Sequence, residues 1–365
     1  MSPSIHAIGT AVPENAIMQT NIAAFMSIAH GLDEQEVRHL NVLYRATGIR
    51  KRHSVVHDYS TTNRDEWEFY PNTKDLKPFP STVERGDIYQ KNAIVLSRRA
   101  AKDCFSQCNI KPDSVTHLIT VSCTGMYAPG LDIDLVNELG LNKSVDRCSI
   151  NFMGCYAAIT ALKQATAICK SDSAANVLVV CVELCTLHFQ NNKTDENLLA
   201  NALFGDGAAA LILSNDKKET GISLAPIQFH CGLLPEGDKE MAWQIGNHGF
   251  QMKLSSYVPD LIGKGISDLI EKLTKNLSSS PTHYAFHPGG KRILEVIEKE
   301  LGISKAQNFV AYDVLKNYGN MSSPTVLFVI KHLMDTLTEE NKDESILSLA
   351  FGPGLTLESM ILKIS

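Results

Sequence analysis

The 365-residue sequence lacks several features that would assign it to a specialised class of protein. No apolar run approaches the roughly 20 residues that a membrane-spanning helix needs, and residues 1–6 contain no basic stretch followed by an apolar one. Basic residues do not form long runs and the formal net charge is -6, so no extended nucleic-acid-binding face is expected. These absences predict a cytoplasmic protein without membrane insertion.

Disulfide and zinc frameworks are also missing. The nine cysteines are an odd number in a chain without a secretion signal, which favours reduced thiols. Two pairs, Cys104/Cys108 and Cys181/Cys185, are close in sequence, but neither has a second Cys or His pair at the spacing of a zinc site. We therefore expect neither a disulfide framework nor a structural metal.

Apolar strands alternate with helix-length segments along the chain, an order typical of layered α/β proteins. The first half predicts strands at 116–121, up to about 152, and at 176–182, with helices at 132–139 and 156–170. The second half predicts strands at 282–287, 309–314 and 345–350, with helices at 291–301 and up to 333.

Positions of equal role in the two halves lie a near-constant distance apart. Three such pairs, separated by 166, 165 and 169 residues, are Val121 and His287, Cys155 and Asn320, and Val177 and Ile346. We predict an internally duplicated α/β protein whose halves, residues 1–220 and 221–365, are fused into one compact body. In such folds, strand-end residues of both halves meet at one interface, where ligands commonly bind.

Three polar residues at strand-to-helix turns are candidates for chemistry. Cys155 precedes a predicted helix, whose N-terminal N–H groups can stabilise a thiolate or an oxyanion. His287 ends a strand, and Asn320 begins a turn before the next helix. Taken singly, they also fit a buried thiol, a structural histidine and a helix cap. The duplication, however, would bring Cys, His and Asn side by side.

Five motifs resemble, in order, those of the chalcone synthase family, the type III polyketide synthases. They are Gly154-Cys155, the segment 203–209, His287-Pro288-Gly289-Gly290, the segment 319–323, and Phe351-Gly352-Pro353-Gly354. The resemblance covers essentially the whole chain. It implies a thiolase-like fold, a layered α-β-α-β-α sandwich, and a homodimer. It also implies an acyltransferase that condenses malonyl-CoA with an acyl-CoA starter and needs no metal or other cofactor.

The same resemblance assigns roles to the three turn residues. Cys155 would carry the acyl chain as a thioester, and His287 would help to ionise its thiol into a thiolate and imidazolium pair. His287 and Asn320 would bind the thioester oxygen of malonyl-CoA and stabilise the enolate that forms on decarboxylation.

Further residues are expected around the substrate. Phe204 resembles the aromatic residue that separates the coenzyme A tunnel from the cavity. Ser322 and the loop residues Gly352, Pro353 and Gly354 would lie beside the substrate. Arg50, Lys51 and Arg52 would bind the phosphates of coenzyme A, although three basic residues are equally typical of a solvated face.

Several cavity positions differ from the plant members of this family. Cys123 and Cys185 stand where small hydroxyl residues are usual, and His188 replaces a threonine. Trp243 aligns with a glycine and Met252 with a phenylalanine, although Trp243 could equally pack in the core. These changes favour an aliphatic starter and an alkylpyrone or alkylresorcinol product.

Three alternatives stay open. A malonyl-only synthase of a small aromatic polyketide is one, because Cys185 is compatible with it. A β-ketoacyl carrier-protein synthase III shares the Cys-His-Asn set, but its second motif is usually His-Gln-Ala-Asn rather than the sequence found after His287. A catalytically inactive binding protein of the same fold would be expected to lack one of the three residues, and all are present.

Overall fold

The computed structural model describes residues 3–216, 218 and 221–365. Within this part, the strands are β1 (Ser4–Ala11), β2 (Ala16–Met18), β3 (Lys51–His53), β4 (His117–Ser122), β5 (Asp146–Asn151), β6 (Asn176–Leu184), β7 (Asp206–Ser214), β8 (Leu224–Leu233), β9 (Met241–Gly246), β10 (Gly249–Leu254), β11 (His283–Phe286), β12 (Ser345–Gly352) and β13 (Thr356–Ile364). The α-helices are α1 (Gln19–Ala29), α2 (Glu34–Ala46), α3 (Thr82–Phe105), α4 (Leu131–Leu139), α5 (Ala157–Ser171), α6 (Asp195–Leu203), α7 (Val258–Thr274), α8 (Lys291–Leu301), α9 (Phe309–Tyr318) and α10 (Ser323–Met334).

A mixed nine-stranded sheet has the strand order β11-β12-β13-β8-β1-β7-β6-β4-β5. The order β4-β6-β7-β1 in the first half matches β11-β12-β13-β8 in the second. In each set the first pair is parallel and the following pairs are antiparallel. The two sets meet where β1 pairs with β8. The strand order is therefore duplicated about this junction.

Helices pack in three layers around the two sets of strands. Helix α5 contacts β4, β6 and β7 of the first set and β8 and β13 of the second, and α10 contacts β1, β6, β7 and β11. Helix α3 packs on β1, β6 and β7, and α7 packs on β8 and β13. Alternate residues of β7 face the two helical layers, as the period of a strand requires. The result is the layered α-β-α-β-α fold expected from the sequence.

The interpretation of residues 309–314 as a strand is wrong. These residues begin helix α9, in which Val310, Ala311, Val314 and Leu315 are buried. This spacing places the four side chains on one face of a helix. Strand β5, which precedes Cys155 in the first half, consequently has no strand counterpart before Asn320.

Three other expectations concern the chain as a whole. The boundary predicted between residues 220 and 221 stays a prediction, because Thr220 lies outside the described residues. All nine cysteines are free thiols. Within the described ranges, no helix is both long enough and apolar enough to cross a bilayer.

A buried carboxylate joins the two halves beside the ends of β4 and β6. Glu183 Oε2 accepts hydrogen bonds from the Cys123 N–H at 2.9 Å and from Thr124 Oγ1 at 2.7 Å. Glu183 Oε1 accepts from Ser323 Oγ at 2.6 Å, and Ser323 is the first residue of α10. Burial raises the pKa of Glu183, and these donors oppose that rise. The carboxylate thus fixes the loop after β4 against the start of α10.

Glu183→Ala is expected to lower the free energy of unfolding by about 3 kcal/mol, because it leaves the buried donors of Cys123, Thr124 and Ser323 without an acceptor. Urea unfolding followed by tryptophan fluorescence measures this loss. The exposed Glu340 gives a matched control, and Glu340→Ala should change the value by no more than about 0.5 kcal/mol. Equal losses for the two variants would show that the carboxylate does not hold the halves together.

Candidate active site

Cys155, His287 and Asn320 lie at the ends of elements that meet between the two halves. Cys155 precedes α5, His287 follows β11, and Asn320 lies between α9 and α10. All three side chains are buried and line the same cavity. The structure therefore brings together the three residues that the sequence singled out.

The turn that carries Cys155 requires glycine on both sides of a close contact. Gly154 has a φ of +86°, and a Cβ at this position would lie 2.6 Å from Pro353 Cδ. A Cβ on Gly352 would lie 2.6 Å from Tyr156 Cδ1. The loop after β12 can pack on the Cys155 turn only because both positions lack a side chain.

The amide of Asn320 is oriented toward the Cys155 thiol. Its Oδ1 accepts the Ser322 N–H at 2.8 Å, which identifies the oxygen. Both its Nδ2 and its Oδ1 lie 3.9 Å from Cys155 Sγ, and Nδ2 also lies 3.4 Å from the Gly289 carbonyl oxygen. Because Oδ1 is occupied by the Ser322 N–H, Nδ2 is the N–H donor beside the thiol that a bound carbonyl oxygen could use.

His287 is held in place by a hydrogen bond of its backbone, whereas its imidazole ring makes none among the described residues. The His287 N–H donates to the Leu349 carbonyl oxygen at 2.8 Å. Among the described residues, neither ring nitrogen has a hydrogen-bond partner. Burial lowers the pKa of His287 to about 3, so the ring is neutral at pH 7. A neutral imidazole offers one donor and one acceptor.

Burial also governs the ionisation of Cys155. Burial, with a smaller contribution from the charge of Glu183, raises the pKa of the thiol to about 11, although hydrogen bonds from the Ser322 side chain and Asn320 work in the opposite direction. At pH 7 the pair is therefore a thiol and a neutral imidazole. This differs from the thiolate and imidazolium pair that the resemblance implies.

The cavity is narrow and mainly apolar. Its volume is about 80 Å³. Eight residues predicted to contact substrate line it: Cys123, Cys185, His188, Phe204, Trp243, Met252, Ser322 and Pro353. Gly352 and Gly354 flank Pro353 in the sequence but are not among the residues that line the cavity. Their assignment as substrate contacts stays a prediction.

The basic cluster at residues 50–52 is divided between the surface and the interior. Arg52 is buried and lines the cavity, where its guanidinium donates to Gln19 Oε1 at 2.9 Å and to the Phe204 carbonyl oxygen. Arg50 is exposed and lines a surface groove, and Lys51 is partly exposed. The Arg52 guanidinium is thus held by interior partners, and its role in binding a coenzyme A phosphate stays a prediction.

Trp243 and Met252 face each other on the hairpin formed by β9 and β10. The Trp243 indole Nε1 donates to the Cys123 carbonyl oxygen at 2.6 Å. The structure thus places both residues in the cavity wall, rather than placing Trp243 in the core of a half.

His188 is a fixed part of the same wall. Its Nδ1 accepts the Phe250 N–H at 2.9 Å, so its Nε2–H donates to the Thr124 carbonyl oxygen at 2.7 Å. The ring stacks on Phe250 with 4.4 Å between centroids. Burial lowers the pKa of His188 to about 3, which keeps this neutral tautomer.

Several cavity residues come from distant segments and are not predicted from the sequence. They are Ile22, Met26, Tyr59, Phe189, Met241 and Leu254. Ile22 and Met26 are four residues apart on α1 and therefore share a helix face. That spacing is the only sequence signal, and it is equally typical of ordinary core residues.

Comparisons with known proteins identify the family. Residues 2–217 match the N-terminal domain, and residues 227–365 the C-terminal domain, of chalcone and stilbene synthases. The chain is 29% identical over 372 residues to probable polyketide synthase 1 of Dictyostelium discoideum, covering 98% of this chain but 11% of that protein. It is 31% identical over 293 residues to the alpha-pyrone synthesis polyketide synthase-like Pks18 of Mycobacterium tuberculosis, covering 78% of this chain and 74% of that protein.

The same relationship is evident in three dimensions. The crystal structure of PKS-I from the brown alga Ectocarpus siliculosus matches with a TM-score of 0.91 and 28% identity, covering 99% of this chain and 98% of that chain. The resemblance drawn from the five motifs is thus confirmed. The chain belongs to the chalcone and stilbene synthase family, the type III polyketide synthases, which are acyl-transferring condensing enzymes.

Proposed function

We propose that this enzyme takes an acyl group from an acyl-CoA starter onto Cys155 and extends it with malonyl-CoA. The observation that carries the proposal is the meeting of Cys155, His287 and Asn320 in one buried cavity. Because the three residues are far apart in the sequence, only the fold brings them together. The family match over both halves favours this reaction over that of a β-ketoacyl carrier-protein synthase III.

The first chemical step is transfer of the starter. His287 accepts the Cys155 proton as the sulfur attacks the thioester carbonyl, and coenzyme A leaves with a proton. General-base transfer during attack suits this site better than an ion pair formed beforehand, because burial moves the two pKa values apart.

The second step is decarboxylation and condensation. Malonyl-CoA loses carbon dioxide to give an enolate, whose oxygen receives hydrogen bonds from Asn320 Nδ2 and the His287 ring. In the described part of the chain, no Asp or Glu lines the cavity, and the buried Glu183 behind the wall has its oxygens occupied by the donors of Cys123, Thr124 and Ser323. The enolate carbon then attacks the Cys155 thioester and releases the thiolate, which is reprotonated.

An aliphatic starter suits the cavity. Apolar side chains from α1 and from the β9–β10 hairpin form much of its lining, including Ile22, Met26, Met241 and Leu254. Alkylpyrones or alkylresorcinols are the products that we propose, and the name of the mycobacterial relative records α-pyrone synthesis for that protein. A malonyl-only route to a small aromatic product is the second candidate, which the narrow cavity also accommodates.

A surface groove is the proposed site for the phosphates of coenzyme A. Arg45 and Arg50 line it together with Gln19, which bonds to the cavity residue Arg52. Lys291 lies close by, since a Cβ on Gly48 would be 3.6 Å from Lys291 Cδ. Lys51 is a neighbouring cation on β3. Guanidinium groups bind phosphate through paired hydrogen bonds, and the exposed Arg50 and Arg45 suit this role better than the buried Arg52.

A cytoplasmic homodimer is the proposed assembly. The nine free thiols suit a reducing compartment. Strand β5 pairs on one edge with β4 and ends the sheet, and it leaves Asp146, Arg147, Cys148 and Ser149 exposed. An open edge of this kind is a template for pairing with a second chain.

Light scattering should give twice the 40.1 kDa chain mass, and a single-chain mass at micromolar concentration would refute the dimer.

The pKa of Cys155 leads to a pH prediction. Alkylation by iodoacetamide should rise by about tenfold per pH unit from about pH 6 to 9 without a plateau, because only the thiolate reacts and the pKa is raised to about 11. Peptide mass spectrometry measures the rate at each cysteine, with the exposed Cys148 as an internal reference. A plateau reached below pH 7 would demonstrate a preformed thiolate and imidazolium pair.

Incubation with malonyl-CoA and single acyl-CoA starters should yield triketide or tetraketide pyrones or resorcinols. The reaction should proceed without added metal and in the presence of a chelator. Mass spectrometry reads both the Cys155 adduct and the released product. Products from malonyl-CoA alone would favour the small aromatic route, strong preference for 4-coumaroyl-CoA would refute both, and products only with an added carrier protein would favour fatty-acid initiation.

Variants separate the proposed roles within that reaction. Cys155→Ala should abolish condensation, and Asn320→Ala should reduce release of labelled carbon dioxide from malonyl-CoA by about 100-fold, the cost of removing one oxyanion donor. Arg50→Ala should raise KM with little change in kcat, because it removes a binding contact. Undiminished carbon dioxide release by Asn320→Ala would exclude that residue from the enolate site.

A further inference from the structure

The β9–β10 hairpin is a separate wall of the cavity. Its two strands pair with each other and form no part of the large sheet. It contributes Met241, Trp243, Met252 and Leu254 to the lining, while Gln244, Ile245, Gln251 and Lys253 are exposed on it. The position of the hairpin therefore decides how much space the acyl chain has.

Thr82, the first residue of α3, holds the tip of this hairpin. Its Oγ1 donates to the Gly246 carbonyl oxygen and accepts the Gly249 N–H at 2.8 Å. Its own N–H donates to the Asn247 carbonyl oxygen at 2.9 Å. The hydroxyl thus donates one hydrogen bond to the end of β9 and accepts one from the start of β10, the two strand ends that flank the turn.

The tip fits closely against the body of the protein. Gly249 has a φ of +88°, and a Cβ there would lie 2.7 Å from Arg85 Cδ and 2.9 Å from His188 Nδ1. Gln190 Nε2 donates to the His248 carbonyl oxygen at 2.9 Å. Close contact on this side leaves the tip no room to move toward Arg85 or His188.

Strand β9 links the tip of the hairpin to Trp243 in the cavity wall. Trp243 lies on β9, three residues before Gly246, and its indole reaches the carbonyl oxygen of Cys123. Cys123 Sγ is 3.5 Å from Ser322 Oγ, and Ser322 supplies the N–H that orients Asn320. A movement of the tip would therefore act on Trp243 directly, and on Asn320 only through Cys123 and Ser322.

We propose that Thr82 is a positioning residue that sets the longest acyl chain the enzyme accepts. It does so by fixing the β9–β10 hairpin, so that Trp243 limits the depth of the cavity. This inference rests on the proposed function, because it assumes that an acyl chain occupies the cavity during extension. Thr82 touches neither the substrate nor the reacting atoms.

Thr82→Val replaces the hydroxyl by a methyl group of similar size, so that the Gly249 N–H loses its acceptor and the methyl group repels the Gly246 carbonyl oxygen. We expect the ratio of kcat/KM for a long starter to that for a short one to rise by about threefold to tenfold. Starters from C4-CoA to C18-CoA provide the series. Thr82→Ser keeps the hydroxyl and should restore the wild-type ratio.

Two controls separate positioning from a general loss of structure. Thr338→Val changes an exposed helix-capping threonine far from the cavity and should leave the ratio unchanged. Carbon dioxide release from malonyl-CoA without a starter should be equal in all variants, because it does not depend on chain length. Thr82→Ala provides a second test if Thr82→Val yields too little folded protein.

A labelling assay tests the hairpin independently of turnover. Rates of Cys155 modification by N-alkylmaleimides of increasing chain length should favour the long reagents by about threefold in Thr82→Val. An unchanged chain-length profile in both assays, for folded Thr82→Val and Thr82→Ala, would overturn the inference. A shifted maleimide profile without product from any acyl-CoA would instead retain the hairpin mechanism and refute the proposed function.

Discussion

The carboxylate of Glu183 holds the two halves of the protein in the register that its chemistry needs. It lies at the end of β6 and accepts hydrogen bonds from Cys123 and Thr124 of the first half and from Ser323 of the second. A buried carboxylate is stable only when its oxygens are satisfied. The loop that bears Cys123 and the start of α10, just after Asn320, are therefore fixed relative to each other.

Burial of this interface controls the electrostatics of the site. The same exclusion of water raises the pKa of Cys155 and lowers that of His287, so the resting groups are uncharged. A neutral pair costs less to bury than an ion pair with few supporting contacts. In the proposed mechanism, the charge that develops during decarboxylation meets the N–H donors of Asn320 and His287 in a buried cavity, where such donors stabilise an enolate more strongly than in water.

The walls of the cavity are contributed by elements that the duplication does not relate. Helix α1 supplies Ile22 and Met26, and the β9–β10 hairpin supplies Trp243 and Met252. Cys155, His287 and Asn320 stand on the duplicated framework, whereas these added elements supply apolar lining and, in our proposal, limit chain length. Under that proposal, starter choice can vary while the chemistry of the three residues stays the same.

The sequence by itself determined the layered α/β fold, the duplication and the grouping of Cys155, His287 and Asn320, because local strand-to-helix turns and a repeated order of elements carry that information. It could not determine that residues 309–318 form a helix, since short apolar segments fit both periods. Only the tertiary structure decided that Arg52 is buried beneath Phe204 and that Thr82 holds the hairpin. Those contacts join residues 152 and 167 positions apart, and a side chain's burial and partners depend on which distant segments pack around it.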